Sequence, residues 1–189
     1  MVGICGPPAA GKSTLAATLT ETLNEREGLL AVTVPMDGFH LSNVELARLG
    51  LTGRKGAPAT FDAVGFVHLL RRLRANEDLV YAPSYSRVLH ESIGGVIPIA
   101  AGVRVIVIEG NYLLLDSPPW TEVRSLLDLV VYLDAPDETR QEALIERQLS
   151  RGLDLDAAKE WVFESDERNA ALIATTRLRA DLILTRPLS

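Results

Sequence analysis

Cysteine is almost missing from this chain: one thiol, Cys5, stands in 189 residues. Without a second thiol no intramolecular disulfide can form, which is the usage of a reducing compartment, and a cytoplasmic protein is expected. Long apolar runs are missing too. No segment approaches a membrane span, and no signal peptide is visible, because the first residues already read as a strand. Positive charge is in deficit, with 19 Lys and Arg against 25 Asp and Glu and a formal net charge of −6. No basic surface awaits nucleic acid or an anionic bilayer, so neither is expected as a partner, and basic residues must act locally. Internal repeats, linkers and low-complexity segments are also lacking.

What is present is an ordinary composition, 47% hydrophobic and 23% charged, long enough for one domain (residues 1–189) with a sizeable core. Apolar periodicity alternates between strand and helix. Val2 to Cys5 reads as a short buried strand, and Ser13 to Arg26 as a helix carrying Leu15, Leu19 and Leu23 and ending before Gly28. Leu29 to Val34 reads as a strand, and Asp62 caps a helix with the stripe Phe66, Leu69, Leu70 and Leu73. Val103 to Gly110, apolar on both faces, has the character of an interior parallel strand. A strand in "LLDLVVYLDAP", a helix over Asp137 to Ser150, a second over Asp154 to Thr176 and a closing strand "ADLILT" follow. Repeated strand-then-helix units predict an α/β fold: a mostly parallel sheet between two helical layers. Val80 to Ile99 departs from this pattern, and a β-rich excursion turning at Gly94-Gly95 is expected there.

The densest signal is "GPPAAGKST", Gly6 to Thr14. It fits G-x-x-x-x-G-K-[ST] between a strand and a helix, the setting in which that motif cradles phosphates. The glycines let successive amides point inward, and the helix N-terminus adds positive potential. Pro7 and Pro8 have no N–H, so the amides of Ala9, Ala10, Gly11, Lys12, Ser13 and Thr14 must do the cradling. Lys12 is placed for the β- and γ-phosphates and Ser13 for a magnesium ion. ATP and Mg²⁺ are therefore the expected cofactors. A chance match to this spacing arises in roughly one chain in a hundred at average composition, before the strand and helix are required.

The chain has no N-K-x-D guanine-reading motif and no L-S-G-G-Q transporter signature. It does have Asp37, in "VPMDGFH", at the end of the second strand. In a doubly wound sheet the strand ends share one rim, where ligands bind. A carboxylate there is a candidate base for a substrate hydroxyl; capping a turn before Gly38 is the equal alternative. Glu109 ends the apolar run "VIVIEG" at the same rim and is the candidate magnesium carboxylate, since such a group is costly without a cation or water. Asp134, in "VYLDAP", fits helix capping better.

These motifs and several others, "DGFHLSN", "RKGAPATFD", "APSYSRVLH", "IEGNYLLL", "YLDAP" and "TRLRADLIL", occur in an order that resembles the pantothenate kinase, uridine kinase and phosphoribulokinase superfamily of P-loop kinases. The match spans nearly the whole chain. It looks closest to the bacterial pantothenate kinases and to a shorter group with labels such as nucleoside/nucleotide kinase or fructose-transport-system kinase. The resemblance implies a three-layer α/β/α P-loop fold with a substrate-covering insertion near residues 40–99 and a small lid near 140–160. It implies Asp37 as catalytic base, Lys12 and Ser13 as phosphate and metal residues, and Glu109 as the acidic residue near magnesium. Arg147, in "ALIERQLSRG", matches a lid arginine, with Arg151 as its second. Departures are visible as well. The ribose-holding aspartate of uridine kinases falls near Gly56, beside the basic pair Arg54 and Lys55. The pantothenate kinases' histidine after "APVYS" is replaced by Arg87, and a tyrosine before their lid arginine by Leu144.

His40, Lys55, Tyr85, Arg87, His90 and Tyr112 flank the expected crevice as candidate substrate residues, with packing or surface exposure as the alternative for each. Trp120, Trp161, His68 and Cys5 read as structural, and Asn169 falls near the nucleotide or substrate. The expected reaction is transfer of the ATP γ-phosphate to a hydroxyl of a small metabolite such as a sugar, a nucleoside or a pantothenate-like molecule. A P-loop hydrolase and a non-catalytic ATP-binding module are the rivals, and a homodimer is left open.

Overall fold

The structure, a computed structural model, describes residues 1–26 and 30–186. Five parallel strands form the central sheet in the order β2-β5-β1-β6-β7: β1 (Val2–Cys5), β2 (Ala31–Pro35), β5 (Val105–Gly110), β6 (Leu129–Asp134) and β7 (Leu182–Thr185). The antiparallel pair β3 (Leu79–Ser86) and β4 (Glu91–Ala100) stands apart as a hairpin. The β-α alternation of the sequence becomes a three-layer α/β/α sandwich. Gly28 and Leu29, expected as a helix stop and a strand start, lie outside the described residues.

Helix α1 (Lys12–Arg26) covers one face of the sheet, where Ala16, Leu15 and Leu19 pack on Ile4 and Val107. The opposite face carries the larger core. There α3 (Ala63–Arg74) buries Phe66, Val67, Leu69, Leu70 and Leu73 with Ile106, Ile108, Val130 and Tyr132. Asp62 caps α3 through the Gly65 amide, as expected. Ile106 and Ile108 pack into one core and Val107 into the other, so β5 is buried on both faces and its apolar run is accounted for.

The sheet register positions the site. Cys5 lies opposite Gly110 on one side and Tyr132 on the other, and Pro35 lies opposite Glu109. The loop beginning at Gly6, the turn holding Asp37 and the carboxylate of Glu109 therefore emerge together at one rim. A short helix α2 (Asn43–Arg48), capped by Ser42, follows the Asp37 turn. Helices α4 (Thr121–Leu126) and α5 (Asp137–Ser150) follow β5 and β6.

Three expectations are corrected. Gly94-Gly95 is not the hairpin turn. The chain reverses at 87–90, and the two glycines lie within β4 where the register shifts opposite Ala82 and Ser84. Gly95 has φ 72°, so the glycine that looks like a turn serves a bulge. Asp134 does not cap α5, whose preceding residue, Pro136, offers no side-chain bond; its carboxylate instead accepts Arg177 Nε at 3.0 Å and the Ala135 amide. The helix over Asp154 to Thr176 is interrupted: α6 (Leu155–Trp161) runs through a π-helical turn (Val162–Asp166) into α7 (Glu167–Ala174).

Candidate active site

The phosphate loop is held by contacts that leave little freedom of sequence. At Gly6 a Cβ would lie 2.3 Å from the Leu133 carbonyl oxygen of β6, so only glycine lets the loop leave the sheet there. Ala9 adopts φ 61°, a left-handed conformation uncommon for an alanine. The Ala10 amide donates to Pro7 O at 3.3 Å and the Leu15 amide to Gly11 O at 3.0 Å, closing the loop onto the first turn of α1. Lys12 is buried and donates to Pro7 O at 2.9 Å. Burial lowers its pKa, while Glu109, Cys5 and Asp37 pull it back up.

Ser13 Oγ donates to Glu109 Oε1 at 3.1 Å, joining the loop to the end of β5. Glu109 is buried, and that burial, followed by the charge of Asp37, raises its pKa against the pull of Lys12 and Ser13. A hydroxyl and a carboxylate, both hard oxygen donors, suit Mg²⁺, which binds few protein groups and keeps water and phosphate oxygens for the rest. No cluster of three or more His, Cys, Asp or Glu side chains that could hold a metal occurs among the described residues.

Asp37 occupies a 3-10 turn, Met36–Phe39, directly after β2. That turn has no side-chain cap, and both bonds from His40, its amide at 3.2 Å and Nδ1 at 2.8 Å, go to the Asp37 carbonyl. The carboxylate itself is exposed to the crevice. At Gly38 a Cβ would come 2.4 Å from Pro83 O, so β3 crosses the turn at backbone contact and fixes it. The Asp37 charge bears on Lys12, Glu109, His40 and Arg147, which places all five around one space.

The candidate substrate residues separate by what their polar groups already do. Tyr112 is buried and donates to Gly56 O at 2.6 Å, with its ring against Phe61 and Trp120. It builds the floor of the crevice. The Lys55 ammonium is engaged by Asn43 Oδ1 at 2.6 Å and His90 O at 2.7 Å, and lies 5.3 Å from the Tyr85 ring centre. His90, at φ 53°, contributes through that carbonyl. Lys55 and His90 thus tie the hairpin to the 43–55 segment. His40 stacks between Phe61 and Tyr85, at 4.0 and 4.8 Å between ring centres, and burial lowers its pKa. It is a neutral wall beside Asp37. Arg87, just past β3, is exposed and its charge reaches Glu109 and Arg147.

Arg147 lies in the last turn of α5 and Arg151 just beyond it, where cations suit a helix C-terminus. Burial, then Arg87 and Arg151, lower the Arg147 pKa, though a guanidinium stays charged. Arg151 Nη1 donates to Gln148 Oε1 at 3.2 Å. Both arginines face the crevice, and neither forms an ion pair among the described residues. Leu144, one turn before Arg147, is buried. Trp120 packs in the core, His68 is exposed on α3, and burial pushes the Cys5 thiol up to about 11. Asn169 is buried with its Nδ2 3.9 Å from where a Gly56 Cβ would lie.

One partly buried carboxylate is not singled out by any sequence motif. Asp166 closes the π-helical turn with a buried Oδ2 that meets no hydrogen-bond donor among the described residues. Its signal in sequence is a helical stripe, Ala158, Val162, Asp166, Asn169 and Ile173, in which it is the one carboxylate.

The chain is 37% identical over 175 residues to a Schizosaccharomyces pombe protein provisionally assigned as a uridine kinase, covering 89% of this chain and 74% of that one. It is 34% identical over 151 residues to a pantothenate kinase of Mycolicibacterium vanbaalenii, covering 79% of this chain but 48% of the relative. Against that enzyme the chain spans about half the length. Among solved structures, a Silicibacter sp. TM1040 protein provisionally assigned as a fructose transport system kinase superposes with a TM-score of 0.90 at 41% identity, covering 98% of this chain and 88% of that one. The model of the phosphoribulokinase and uridine kinase family matches residues 1–188, and with these relatives it carries one conclusion: the chain belongs to that family of P-loop kinases acting on small metabolites.

Proposed function

We propose that the protein transfers the γ-phosphate of MgATP to a hydroxyl of a small metabolite, with Asp37 as the base. The observation that carries this reading is the Asp37 carboxylate: among the described residues it caps nothing, and it faces a crevice shared with Lys12, Glu109 and two arginines that have no ion-pair partner there. A carboxylate so placed can orient an acceptor hydroxyl and take its proton as the oxygen attacks phosphorus. The amides of Ala9 to Thr14 and the start of α1 hold the phosphates, and Lys12 spreads charge from the β- and γ-positions. Ser13 and Glu109 would hold the magnesium ion, which supplies charge neutralisation on the phosphate oxygens. Arg147 and Arg151, at the end of α5, belong to a lid of residues 140–160 and meet the charge that develops during transfer. Tyr112, His40 and Tyr85 shape the acceptor wall, under the cover of residues 40–99.

The test is phosphoryl transfer from MgATP to a panel of nucleosides, pantothenate, fructose, other sugars and glycerate, run with wild type and Asp37→Asn. Asn keeps size and most hydrogen bonding, so the melt and MgATP binding should hold while transfer falls by about 10²–10⁴-fold. Phosphate release without an acceptor would favour a hydrolase, and ATP binding with no turnover a regulatory module. A folded Asp37→Asn protein with near-full transfer would remove Asp37 from the mechanism.

A further inference from the structure

From Arg168 onward every arginine but one has a carboxylate partner. Arg168 pairs with Glu164 at 3.2 Å, Arg177 with Asp134 at 3.0 Å and Arg179 with Asp116 at 3.0 Å. Arg186, the residue that follows β7, is exposed, and its guanidinium has no ion pair or hydrogen bond among the described residues. Its backbone is fixed all the same: the Arg186 amide donates to the Asp134 carbonyl oxygen at 2.8 Å, continuing the pairing of β7 with β6. The side chain turns toward the phosphate loop, where Nη1 lies 3.8 Å from the position a Gly11 Cβ would take, beside Leu133. Gly11 has φ 98°, a conformation that favours glycine, so the guanidinium stands over bare loop backbone. The loop itself leans the same way, with Gly6 closing on the Leu133 carbonyl and Ala10 packing with Leu133 and Ala135.

The strand order decides which phosphate this cation meets. β1 carries the loop in the middle of the sheet; β5 and β2, with Glu109 and Asp37 at their ends, lie to one side of it, and β6 and β7 to the other. A γ-phosphate delivered beside Asp37 occupies the β5–β2 side. The opposite end of the nucleotide, its α-phosphate and nucleoside, then leaves over β6 and β7, where Arg186 stands. We propose that Arg186 is a nucleotide-binding residue whose guanidinium donates to the α-phosphate. Pro7 and Pro8 leave the cradle two amide donors short, and the fork of a guanidinium matches phosphate oxygens. The α-phosphate keeps its charge while the γ-phosphoryl group transfers, so Arg186 stabilises bound substrate and transition state alike and sets affinity, not rate. This inference rests on the kinase reading for the place of the γ-phosphate, but its binding test requires no acceptor.

The experiment is calorimetric binding of MgADP, MgGDP and a non-hydrolysable MgATP analogue to wild type, Arg186→Ala and Arg186→Lys, beside steady-state kinetics with whichever acceptor is phosphorylated. Arg186→Ala should lose about tenfold to a hundredfold in affinity for all three nucleotides, the worth of a hydrogen bond between charged groups, and Arg186→Lys should recover part of it. The KM for ATP should rise by a similar factor while kcat stays within about threefold, the reverse of the pattern for a residue that meets the transferring group. The two α-thio diastereomers of ADP single out the α-position. Wild type should prefer one of them, and the preference should shrink in Arg186→Ala, because one non-bridging α-oxygen faces the guanidinium. The melt without nucleotide should not move, since the side chain bonds to nothing in the described fold. The proposal is overturned if Arg186→Ala binds ADP like wild type, or if adenine and guanine nucleotides lose by clearly different factors, which would mean a contact with the base. An unchanged diastereomer preference, or a kcat that falls while affinity holds, overturns it as well. Lost ADP affinity in a protein that phosphorylates no acceptor would leave the inference standing and refute the kinase reading. Phosphorylation with unchanged nucleotide affinities would do the reverse.

Discussion

Gly6 and Ala9 sit three residues apart in one loop and place opposite demands on their backbones. Gly6 has no room for a Cβ, which would fall 2.3 Å from the Leu133 carbonyl oxygen. Ala9 has a Cβ in a conformation, φ 61°, that glycine adopts more easily. Gly6→Ala should therefore destabilise the fold by more than about 2 kcal/mol, since backbone atoms must move apart. Ala9→Gly should be within about 1 kcal/mol of neutral, because relief of left-handed strain offsets the added freedom of the unfolded chain. Denaturant unfolding of the two variants checks both, and a tolerated Gly6→Ala would contradict the close approach of loop and β6. At this scale the phosphate loop is fully legible in sequence, because its chemistry is contained in nine consecutive residues, Gly6 to Thr14. Lys55 and Tyr112 are not. Their polar groups are engaged by His90 and Gly56, 35 and 56 residues away, and no local pattern encodes such partners. Asp166 is half legible: its helical stripe is in the sequence, but its lack of a partner is a fact of packing.

At the scale of elements, Arg147 lies in the last turn of α5 and Arg151 caps its end. A helix C-terminus and a shared crevice hold them close despite like charge. If they meet charge that appears only during transfer, Arg147→Ala should lower kcat by about tenfold or more while the affinity for MgATP changes far less. Steady-state kinetics beside equilibrium nucleotide binding separate the two, and an unchanged kcat would take Arg147 out of the lid. The strands and helices of the sheet were readable because burial imposes period and polarity: β5 is apolar on both faces, and α3 carries one clean stripe. The hairpin misled for a physical reason. Glycine allows positive φ equally in a turn and in a bulge, so Gly94-Gly95 could not reveal which one the strand pairing would require. The π-helical turn leaves no mark on apolar spacing either, since 158, 162, 166, 169 and 173 are compatible with an uninterrupted helix.

For the molecule as a whole, the burial of two carboxylates gives up stability. Asp166 and Glu109 hold their protons more tightly in the folded chain than an exposed carboxyl would, both through burial. A carboxyl whose folded pKa is raised stabilises the protein fully below its unfolded value, and that stability is lost as pH rises through the folded value. For Asp166 the window runs from its ordinary 3.8 to about 6. Asp166→Asn should therefore match or exceed the wild-type Tm at pH 7, with the advantage vanishing toward pH 4; thermal melts across that range check it. A variant less stable at pH 7 than at pH 4, relative to wild type, would mean that Asp166 is an asset to the fold.

The register of β1 has a consequence for the order in which the protein comes into being. Cys5 is synthesised long before its two neighbours in the sheet, Gly110 and Tyr132, and before Leu133, on which the loop that follows it rests. A nascent chain that has exposed the entire phosphate-binding motif has none of the walls that shape it. Pairing strands so distant in sequence is slow, because chain entropy must be lost before any contact repays it. ATP is thus a ligand of the finished fold alone: it cannot nucleate the domain during synthesis, and it acts on the completed molecule by holding it back from unfolding.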